Sequence, residues 1–220
     1  MTTRRTFILA VLLYFSLPGV SQDSEGPERF EESIQQFEQQ DKEIPFPNGA
    51  VLFVGSSSIK IWDSLDEDFP GVTAINRGFG GSQFSDLLYY ISRVVTCYNP
   101  SKIFIYEGDN DISAGKKPKD ILKEAKQVRQ AIARKLPGVP VLFIAAKPSV
   151  ARWKLRKKYM QLNSELSLYA GSTPYTGFVN VWSPAMDASG EVMKDIFLEN
   201  NLHMNAKGYA IWKKAIEPFL

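Results

Sequence analysis

The sequence has little of the chemistry that builds metal centres and disulfide frameworks. Among its 220 residues there is one cysteine, Cys97, and one histidine, His203. A single cysteine excludes an intrachain disulfide, and a single histidine excludes a metal site built from several histidines. Cys97 ends an apolar helical pattern, which predicts a small core residue rather than a reactive thiol. No metal-ligand spacing is present, so we expect neither a metal nor a cofactor.

The amino terminus has the layout of a secretory signal peptide. Arg4 and Arg5 precede an apolar run from Phe7 to Phe15, and small residues follow up to Ser21. The run is about half as long as the roughly 20 residues that a membrane-spanning helix needs, which favours a signal over a membrane anchor. We expect residues 1–21 to be removed by cleavage after Ser21. The mature protein is then secreted or periplasmic, with no stable membrane anchor.

The mature chain has no excess of charge. The full sequence carries a formal net charge of +2, and loss of Arg4 and Arg5 leaves 24 basic residues against 24 acidic ones. No global field then favours nucleic acid or an anionic membrane, so neither is an expected partner. The locally basic run RWKLRKKY, Arg152 to Tyr159, is interpreted mainly as the solvated face of a helix.

Two regions follow the signal. Residues 22–48 are polar and charged, with Phe30, Ile34 and Phe37 at helical spacing, and they predict an N-terminal helical extension packed on the domain. Residues 49–220 alternate short apolar runs with amphipathic stretches. The short runs predict five strands, at residues 50–54, 72–75, 102–106, 139–146 and 177–182, and the first of them is a continuous apolar run as expected for a strand buried on both faces.

The alternation of strands and helices predicts the fold class. Apolar side chains recur at helical spacing in four stretches, from Phe84 to Val95, Ile121 to Leu136, Leu155 to Tyr169, and from near Asn205 to Ile216. Helices of this length between strands give right-handed crossovers and a parallel sheet. We expect an α/β fold, a three-layer α/β/α sandwich with a five-stranded parallel sheet in flavodoxin-like order. In such a sheet, ligands bind beyond the carboxyl ends of the strands.

Polar residues of the kinds that catalysis uses cluster in the loops after these strands. Gly55-Ser56-Ser57-Ser58 follows the first strand, NRGFGGSQ (76–83) the second and EGDND (107–111) the third. ENNLHMNAKGY (199–209) lies beyond the fifth and contains the one histidine. Each loop taken alone is also an ordinary turn or helix cap.

Together the four loops resemble the SGNH (GDSL-type) serine hydrolase superfamily of esterases and lipases. That family places a Ser, a Gly, an Asn and a His in four separated blocks at these strand ends, and the resemblance covers most of the mature chain. It implies Ser57 as the nucleophile and His203 as its base. It also implies an oxyanion hole made by the backbone N–H groups of Ser57 and Gly81 and the side-chain amide of Asn110.

Ester hydrolysis through a serine nucleophile explains why the family uses these residue types. A serine hydroxyl becomes a good nucleophile when a neighbouring base takes its proton, and His203 is the one candidate with an ordinary pKa near neutrality. Each oxyanion donor is typically worth about 3 kcal/mol of barrier. Glycine at position 81 lets the backbone come close to the substrate. Ser56 stands where the family usually has Asp, and Ser58 is expected at a helix start.

One position departs from the family pattern. The family's catalytic Asp lies three residues before the histidine, and here that residue is Asn200. An amide oxygen can accept the bond from imidazole Nδ1–H but carries no charge, and a flipped amide would donate and select the wrong tautomer. Three outcomes stay open: a Ser57–His203 dyad, an acid nearby such as Glu199 or Asp195, or loss of activity with the pocket kept for binding.

The sequence therefore predicts a secreted carboxylic ester hydrolase that forms an acyl-enzyme on Ser57. Its expected partner is a small-molecule acyl ester, such as a carbohydrate acetyl ester or a lysophospholipid-like ester. The alternative is a catalytically weakened or inactive module that binds an acyl or carbohydrate ligand, and acyl transfer would use the same residues. Four aromatic residues are candidates for lining a cleft, although core packing is favoured for most of them: Trp62, Tyr106, Trp153 and Trp182.

Overall fold

The computed structural model describes residues 26–220, in which one parallel sheet of five strands forms the central layer. The strands are β1 (Val51–Gly55), β2 (Ala74–Gly78), β3 (Lys102–Tyr106), β4 (Val141–Ile144) and β5 (Thr176–Val179). Their order is β2-β1-β3-β4-β5, and each neighbouring pair is parallel. This is the flavodoxin-like order, so the predicted fold class is confirmed. The predicted signal segment, residues 1–21, lies outside the described residues.

Helices cover both faces of the sheet and form the two outer layers. One face carries α1 (Glu31–Glu43), α4 (Phe84–Val94), α6 (Pro118–Lys135) and α7 (Arg156–Gly171). The other carries α2 (Ser57–Lys60), α3 (Leu65–Asp68) and α8 (Ala206–Ile216). The short helix α5 (Asp109–Ser113) follows β3, and single 3₁₀ turns span Pro27–Phe30, Trp153–Leu155, Ser183–Ala185 and Glu217–Phe219.

The central strands are buried on both faces, which explains their unbroken apolar runs. Successive side chains of β1 point to opposite faces: Leu52 and Val54 pack on the side of α4 and α6, whereas Val51 and Phe53 pack on the side of α8. Burial of one such side chain is worth about 1.5–3 kcal/mol. The two apolar cores therefore hold the carboxyl ends of the strands in fixed relative positions.

The second strand extends further along the chain than the sequence predicts, over Ala74–Gly78 rather than residues 72–75. The polar side chains of Asn76 and Arg77 end the apolar run but not the strand. Arg77 is buried, forms an ion pair with Asp41 and donates a 2.5 Å hydrogen bond to the Tyr98 hydroxyl. Because its charge is paired, it can occupy a strand. The fourth and fifth strands end before their apolar runs do, since those runs continue into loops.

The prediction that Cys97 is a core residue is wrong. Cys97 is exposed, and its Sγ lies 3.0 Å from the carbonyl oxygen of Arg93. The reason is that α4 ends at Val94, so the helical periodicity that would turn Cys97 inward does not reach it.

The N-terminal helix α1 packs against α4. Ile34 is fully buried, and Arg93 of α4 forms ion pairs with Glu31 at 2.7 Å and Glu38 at 2.6 Å. Among residues 26–220, none of the helices combines the length and the apolar composition that crossing a bilayer would require.

Candidate active site

Ser57 lies at the carboxyl edge of the sheet, as the first residue of α2. The chain leaves β1 at Gly55, whose φ is 140°, and a Cβ there would lie 2.1 Å from the carbonyl oxygen of Tyr106. Only glycine permits that approach. Ser56 donates its backbone N–H to the same carbonyl at 3.0 Å. The turn is thereby fixed, and Ser57 follows it at the edge where ligands of such sheets bind.

His203 reaches Ser57 from the other end of the chain. Its Nε2 lies 3.0 Å from Ser57 Oγ, across a separation of 146 residues. The loop that carries it is closed by a 2.8 Å bond from Leu198 N–H to the His203 carbonyl and by a bridge between Phe197 and Met204. Nucleophile and base candidates are therefore within hydrogen-bonding distance.

The amide of Asn200 is oriented by the backbone of the same loop. Its Oδ1 accepts hydrogen bonds from the backbone N–H groups of Leu202 at 3.0 Å and His203 at 2.9 Å. Backbone N–H groups only donate, so the oxygen must face them and the amide nitrogen must face away. The Asn200 Nδ2 atom accordingly lies 2.8 Å from His203 Nδ1.

This orientation sets the tautomer of the neutral imidazole. The amide nitrogen is a donor, so His203 Nδ1 must accept, and the ring proton then lies on Nε2. In that form Nε2–H donates to Ser57 Oγ instead of accepting its proton. An imidazolium would bring two donors together at Nδ1. The arrangement therefore opposes the tautomer that general-base catalysis needs.

Neither acid considered from the sequence takes the place of Asn200 at Nδ1. Asp195 is exposed and pairs with Lys207 at 2.9 Å. Glu199 is exposed, and its contact within the loop is made by its backbone carbonyl, which accepts a 3.2 Å bond from Asn201. Within residues 26–220, no group of three or more His, Cys, Asp or Glu side chains is placed to hold a metal ion.

The two candidate oxyanion donors other than the Ser57 N–H, Gly81 and Asn110, lie on the loops after β2 and β3. A Cβ on Gly80 would lie 3.6 Å from the Ser57 Cβ, so the loop after β2 passes close to the serine. Gly81 follows with a φ of 93°, which favours glycine. Asn110 Nδ2 donates one hydrogen bond, at 3.0 Å, to the Ser82 carbonyl. Its second N–H is not used in that bond.

A buried glutamate that the sequence reasoning did not single out supports this loop. Glu107 is 1% exposed, and its Oε1 accepts a 2.6 Å hydrogen bond from the Ser82 hydroxyl. Burial, with the nearby Asp111 carboxylate, raises the pKa of Glu107 well above its ordinary value. Glu107 thus fixes Ser82, whose carbonyl in turn holds Asn110. Its position directly after β3 was the signal available in the sequence.

A second unanticipated feature is a buried ionic cluster beside Asn110. Asp109 lies 2.5 Å from Arg152 Nη1 and 3.3 Å from Lys147 Nζ, and it accepts a 2.6 Å bond from the Tyr159 hydroxyl. Burial by itself raises the pKa of Asp109, but the two cations outweigh it and hold that pKa below its usual range. Arg152 is therefore not simply part of a solvated helix face, as the basic run had suggested; it belongs to the site.

The same surroundings act on His203. Its pKa is lowered from 6.5, first by burial and then by the charge of Lys147, with Arg152 acting in the same direction and Asp109 opposing. The imidazole is thus held in its neutral form further into the acid range than a free histidine.

The four aromatic residues considered from the sequence divide into two pairs. Trp62 and Tyr106 are buried in the core on the α8 side of the sheet. Trp153 and Trp182 are half-buried, and their rings stack on each other with centroids 6.2 Å apart. The second pair lies in the segments that follow β4 and β5, and it braces the segment that carries Arg152.

Comparison with known proteins finds a matching family. The model of the GDSL-like Lipase/Acylhydrolase family matches residues 55–211, which is more than half of the chain and includes all the candidate residues above. No curated protein sequence matches the chain.

Solved structures with a similar fold include several hydrolases. A protein from Streptococcus pneumonia, provisionally described as a platelet activating factor, has a TM-score of 0.77 at 23% identity, covering 87% of this chain and 92% of its own. A GDSL-like lipase from Bacteroides thetaiotaomicron has a TM-score of 0.72 at 19% identity, with 84% and 96% covered. An acetyl-xylooligosaccharide esterase from Geobacillus stearmophilus has a TM-score of 0.63 at 14% identity, with 79% and 95% covered.

Proposed function

Because this chain belongs to the GDSL-like lipase/acylhydrolase family, we propose that it hydrolyses small acyl esters through an acyl-enzyme on Ser57. The observation that carries the proposal is the 3.0 Å contact between Ser57 Oγ and His203 Nε2. No cofactor is needed for this reaction.

The reaction proceeds in two halves. Ser57 Oγ attacks the ester carbonyl while His203 Nε2 takes the hydroxyl proton, and the resulting oxyanion is held by N–H groups of Ser57, Gly81 and Asn110. The tetrahedral intermediate collapses, His203 gives its proton to the leaving alcohol, and an acyl-enzyme remains. Water, deprotonated by His203, then releases the acid and restores Ser57.

His203 must carry its proton on Nδ1 for the first half, and Asn200 opposes this. Rotating the amide by a half-turn would present Oδ1 to Nδ1–H but would give up the bonds from Leu202 and His203 N–H. Hydrogen bonds of this kind are each worth about 0.5–1.5 kcal/mol. We therefore propose a dyad whose base form is a minor tautomer, so the activity is weaker than a carboxylate at this position would give.

A second candidate function follows from the same contact. A site whose serine accepts rather than donates a proton could serve to bind an acyl or carbohydrate ligand without turnover. The 2.8 Å approach of Asn200 Nδ2 to His203 Nδ1 is the observation that favours it. We rank it second because the serine, the histidine and the three oxyanion donor groups all remain.

The substrate class proposed is a carbohydrate acetyl ester or a lysophospholipid-like ester. An acetyl-xylooligosaccharide esterase and a carbohydrate esterase from Talaromyces cellulolyticus are among the proteins of similar fold, which supports the first of these. Transfer of the acyl group to a sugar hydroxyl instead of water would use the same residues. An ester panel that varies acyl length and includes acetylated sugars, run with and without acceptor sugars, separates these substrates and reactions.

We also propose that the enzyme acts outside the cytoplasm. The layout of residues 1–21 supports export and cleavage after Ser21, with residues 22–48 as an extension and 49–220 as the hydrolase domain. N-terminal sequencing of the protein from the medium or periplasm of an expressing bacterium tests this.

The decisive experiment compares Ser57→Ala with Ser58→Ala on para-nitrophenyl acetate. Ser58 is the matched control, because it belongs to the same serine run and is not in contact with His203 in the proposed mechanism. We expect Ser57→Ala to lose activity and fluorophosphonate labelling, and Ser58→Ala to keep both. Wild-type activity equal to that of Ser57→Ala, with no labelling of either protein, would leave the binding module as the function.

A further inference from the structure

The candidate active site has one more positive charge than negative charge in its ionic cluster. Lys147 and Arg152 face the single carboxylate of Asp109. The Lys147 and Asp109 side chains are only 3% and 7% exposed, so they neutralise each other away from solvent. Arg152 keeps 20% of its side chain exposed. The unbalanced charge therefore lies on the residue of the cluster that solvent and substrate can reach.

The guanidinium of Arg152 has five N–H groups, and its partners in this cluster, Asp109, Asn110 and Tyr159, do not use all of them. Its bonds to Asp109 Oδ1 at 2.5 Å and to Asn110 Oδ1 at 3.1 Å are both made by Nη1. The Nε–H and the two Nη2–H groups are not used in these bonds. An arginine fork of this kind suits the paired oxygens of a carboxylate or phosphate.

Arg152 is also held close to the reacting atoms. It contacts Asn110, the proposed oxyanion donor, and the backbone N–H of Ala151 donates a 3.0 Å bond to the carbonyl of Asn201, two residues before His203. On its other side, Trp153 stacks on Trp182. These contacts fix the guanidinium in advance, so binding an anion there costs little ordering of the protein.

The surface that continues from Arg152 has the same sign. Lys154, Lys157 and Lys158 follow on the 3₁₀ turn and the first turn of α7, all exposed, and no acidic residue interrupts the sequence from Arg152 to Tyr159. A positive field of this kind would steer an anionic ester toward the site.

Resting on the function proposed above, we propose that Arg152 binds a carboxylate or phosphate group of the substrate, so that the site selects anionic esters over neutral ones. In this arrangement the anionic group of the substrate lies near the ester carbonyl. It belongs to either the alcohol part or the acyl part of the substrate. Arg152 is then a specificity-determining residue.

The test measures kcat/KM for esters of similar size that differ mainly in charge. Meta-acetoxybenzoate and meta-acetoxyphenyl phosphate are compared with meta-acetoxybenzamide for the alcohol part. Para-nitrophenyl hydrogen adipate is compared with para-nitrophenyl hexanoate for the acyl part. We expect the wild type to prefer at least one anionic ester by about tenfold or more, and added salt to weaken that preference. The benzoate and the phosphate separate the two anion chemistries.

Arg152→Gln should abolish the anionic preference, and Arg152→Lys should restore part of it. Arg134→Gln, at the exposed end of α6 and at the opposite edge of the sheet, removes an equal charge and should leave the preference unchanged. If Arg152 served only to hold Asp109 and Asn110, Arg152→Gln would slow charged and neutral esters alike and leave their ratio intact. That result, or a wild type that prefers the neutral esters, overturns the proposal.

The experiments can refute the hydrolase function and the charge preference independently. A wild type that hydrolyses none of these esters faster than Ser57→Ala refutes the first. The second is then decided by calorimetric binding of meta-acetoxybenzoate and meta-acetoxybenzamide to Ser57→Ala: tighter binding of the benzoate that depends on Arg152 supports it, and equal binding refutes it.

Discussion

The side-chain nitrogen of Asn200 lies 2.8 Å from Nδ1 of His203, so a donor faces the ring nitrogen to which serine hydrolases of the triad type present a carboxylate. Two backbone N–H groups on the far side of the amide hold it in this orientation. This contact determines which imidazole nitrogen carries the proton, and therefore whether His203 can act as a base toward Ser57.

The first prediction concerns the tautomer itself. In the wild type at a pH where His203 is neutral, we expect Nε2 to be protonated and Nδ1 to be a hydrogen-bond acceptor. Nitrogen NMR of an untagged protein measures this directly, because the chemical shifts of the two ring nitrogens report their protonation and His203 is the only histidine. Asn200→Asp should move the proton to Nδ1. A wild-type spectrum with the proton already on Nδ1 would mean that the amide presents its oxygen.

The second prediction is a gain of activity. Asn200→Asp keeps an oxygen for the Leu202 and His203 N–H groups and adds a charged acceptor at Nδ1, so kcat should rise by about tenfold or more. The matched control is Asn201→Asp, which adds the same charge one residue along, where the side chain contacts the Glu199 carbonyl. The contrary result is equal activity of the two variants, which would mean that charge near His203 matters and the tautomer does not.

The third prediction is the pH dependence. The pKa of His203 is lowered by burial and by Lys147 and Arg152, so the neutral imidazole that acts as base persists below pH 6.5. Activity should therefore fall, as the solution is acidified, only at a pH below that ordinary value. Arg152→Gln removes a cation and should move this acid limb upward, whereas Arg134→Gln should not. The pH profile of kcat/KM and an NMR titration of His203 should give the same midpoint; a limb at or above 6.5 in the wild type contradicts the prediction.

The edge of the sheet that carries the candidate residues could be predicted from the sequence because of how parallel strands end. Ser57, Gly81 and Asn110 each follow a strand of one sheet, and strands of a parallel sheet share one carboxyl edge. Glycine at 55 and 81, and an apolar run before each loop, marked those ends. His203 could be added because it is the only histidine and the loop carrying it lies beyond the last strand.

The chemistry of the site was less accessible to sequence reasoning. The orientation of Asn200 depends on two backbone N–H groups of its own loop, which no residue pattern specifies. Arg152 belongs to a basic run that has the composition of an exposed helix, and only the crossover from β4 to α7 brings it against Asp109. Glu107 shows its role only when burial and its bond to Ser82 are known.

The last prediction concerns Glu107 and the stability of the fold. Its pKa in the folded protein is raised well above 4.5 by burial and by Asp111. A carboxyl group of this kind favours folding fully at pH values below its unfolded pKa, and that contribution is lost as the pH rises toward its folded pKa. Glu107→Gln has the shape of the protonated acid and does not ionise. Its melting temperature should therefore exceed that of the wild type at neutral pH, by a margin that shrinks as the solution is acidified to the ordinary glutamate pKa.

Glu107→Ala, which gives up the bond from Ser82, should melt lower at every pH and reduce kcat through Asn110, whereas Glu107→Gln should retain activity. A Glu107→Gln protein less stable than the wild type across this range contradicts the prediction.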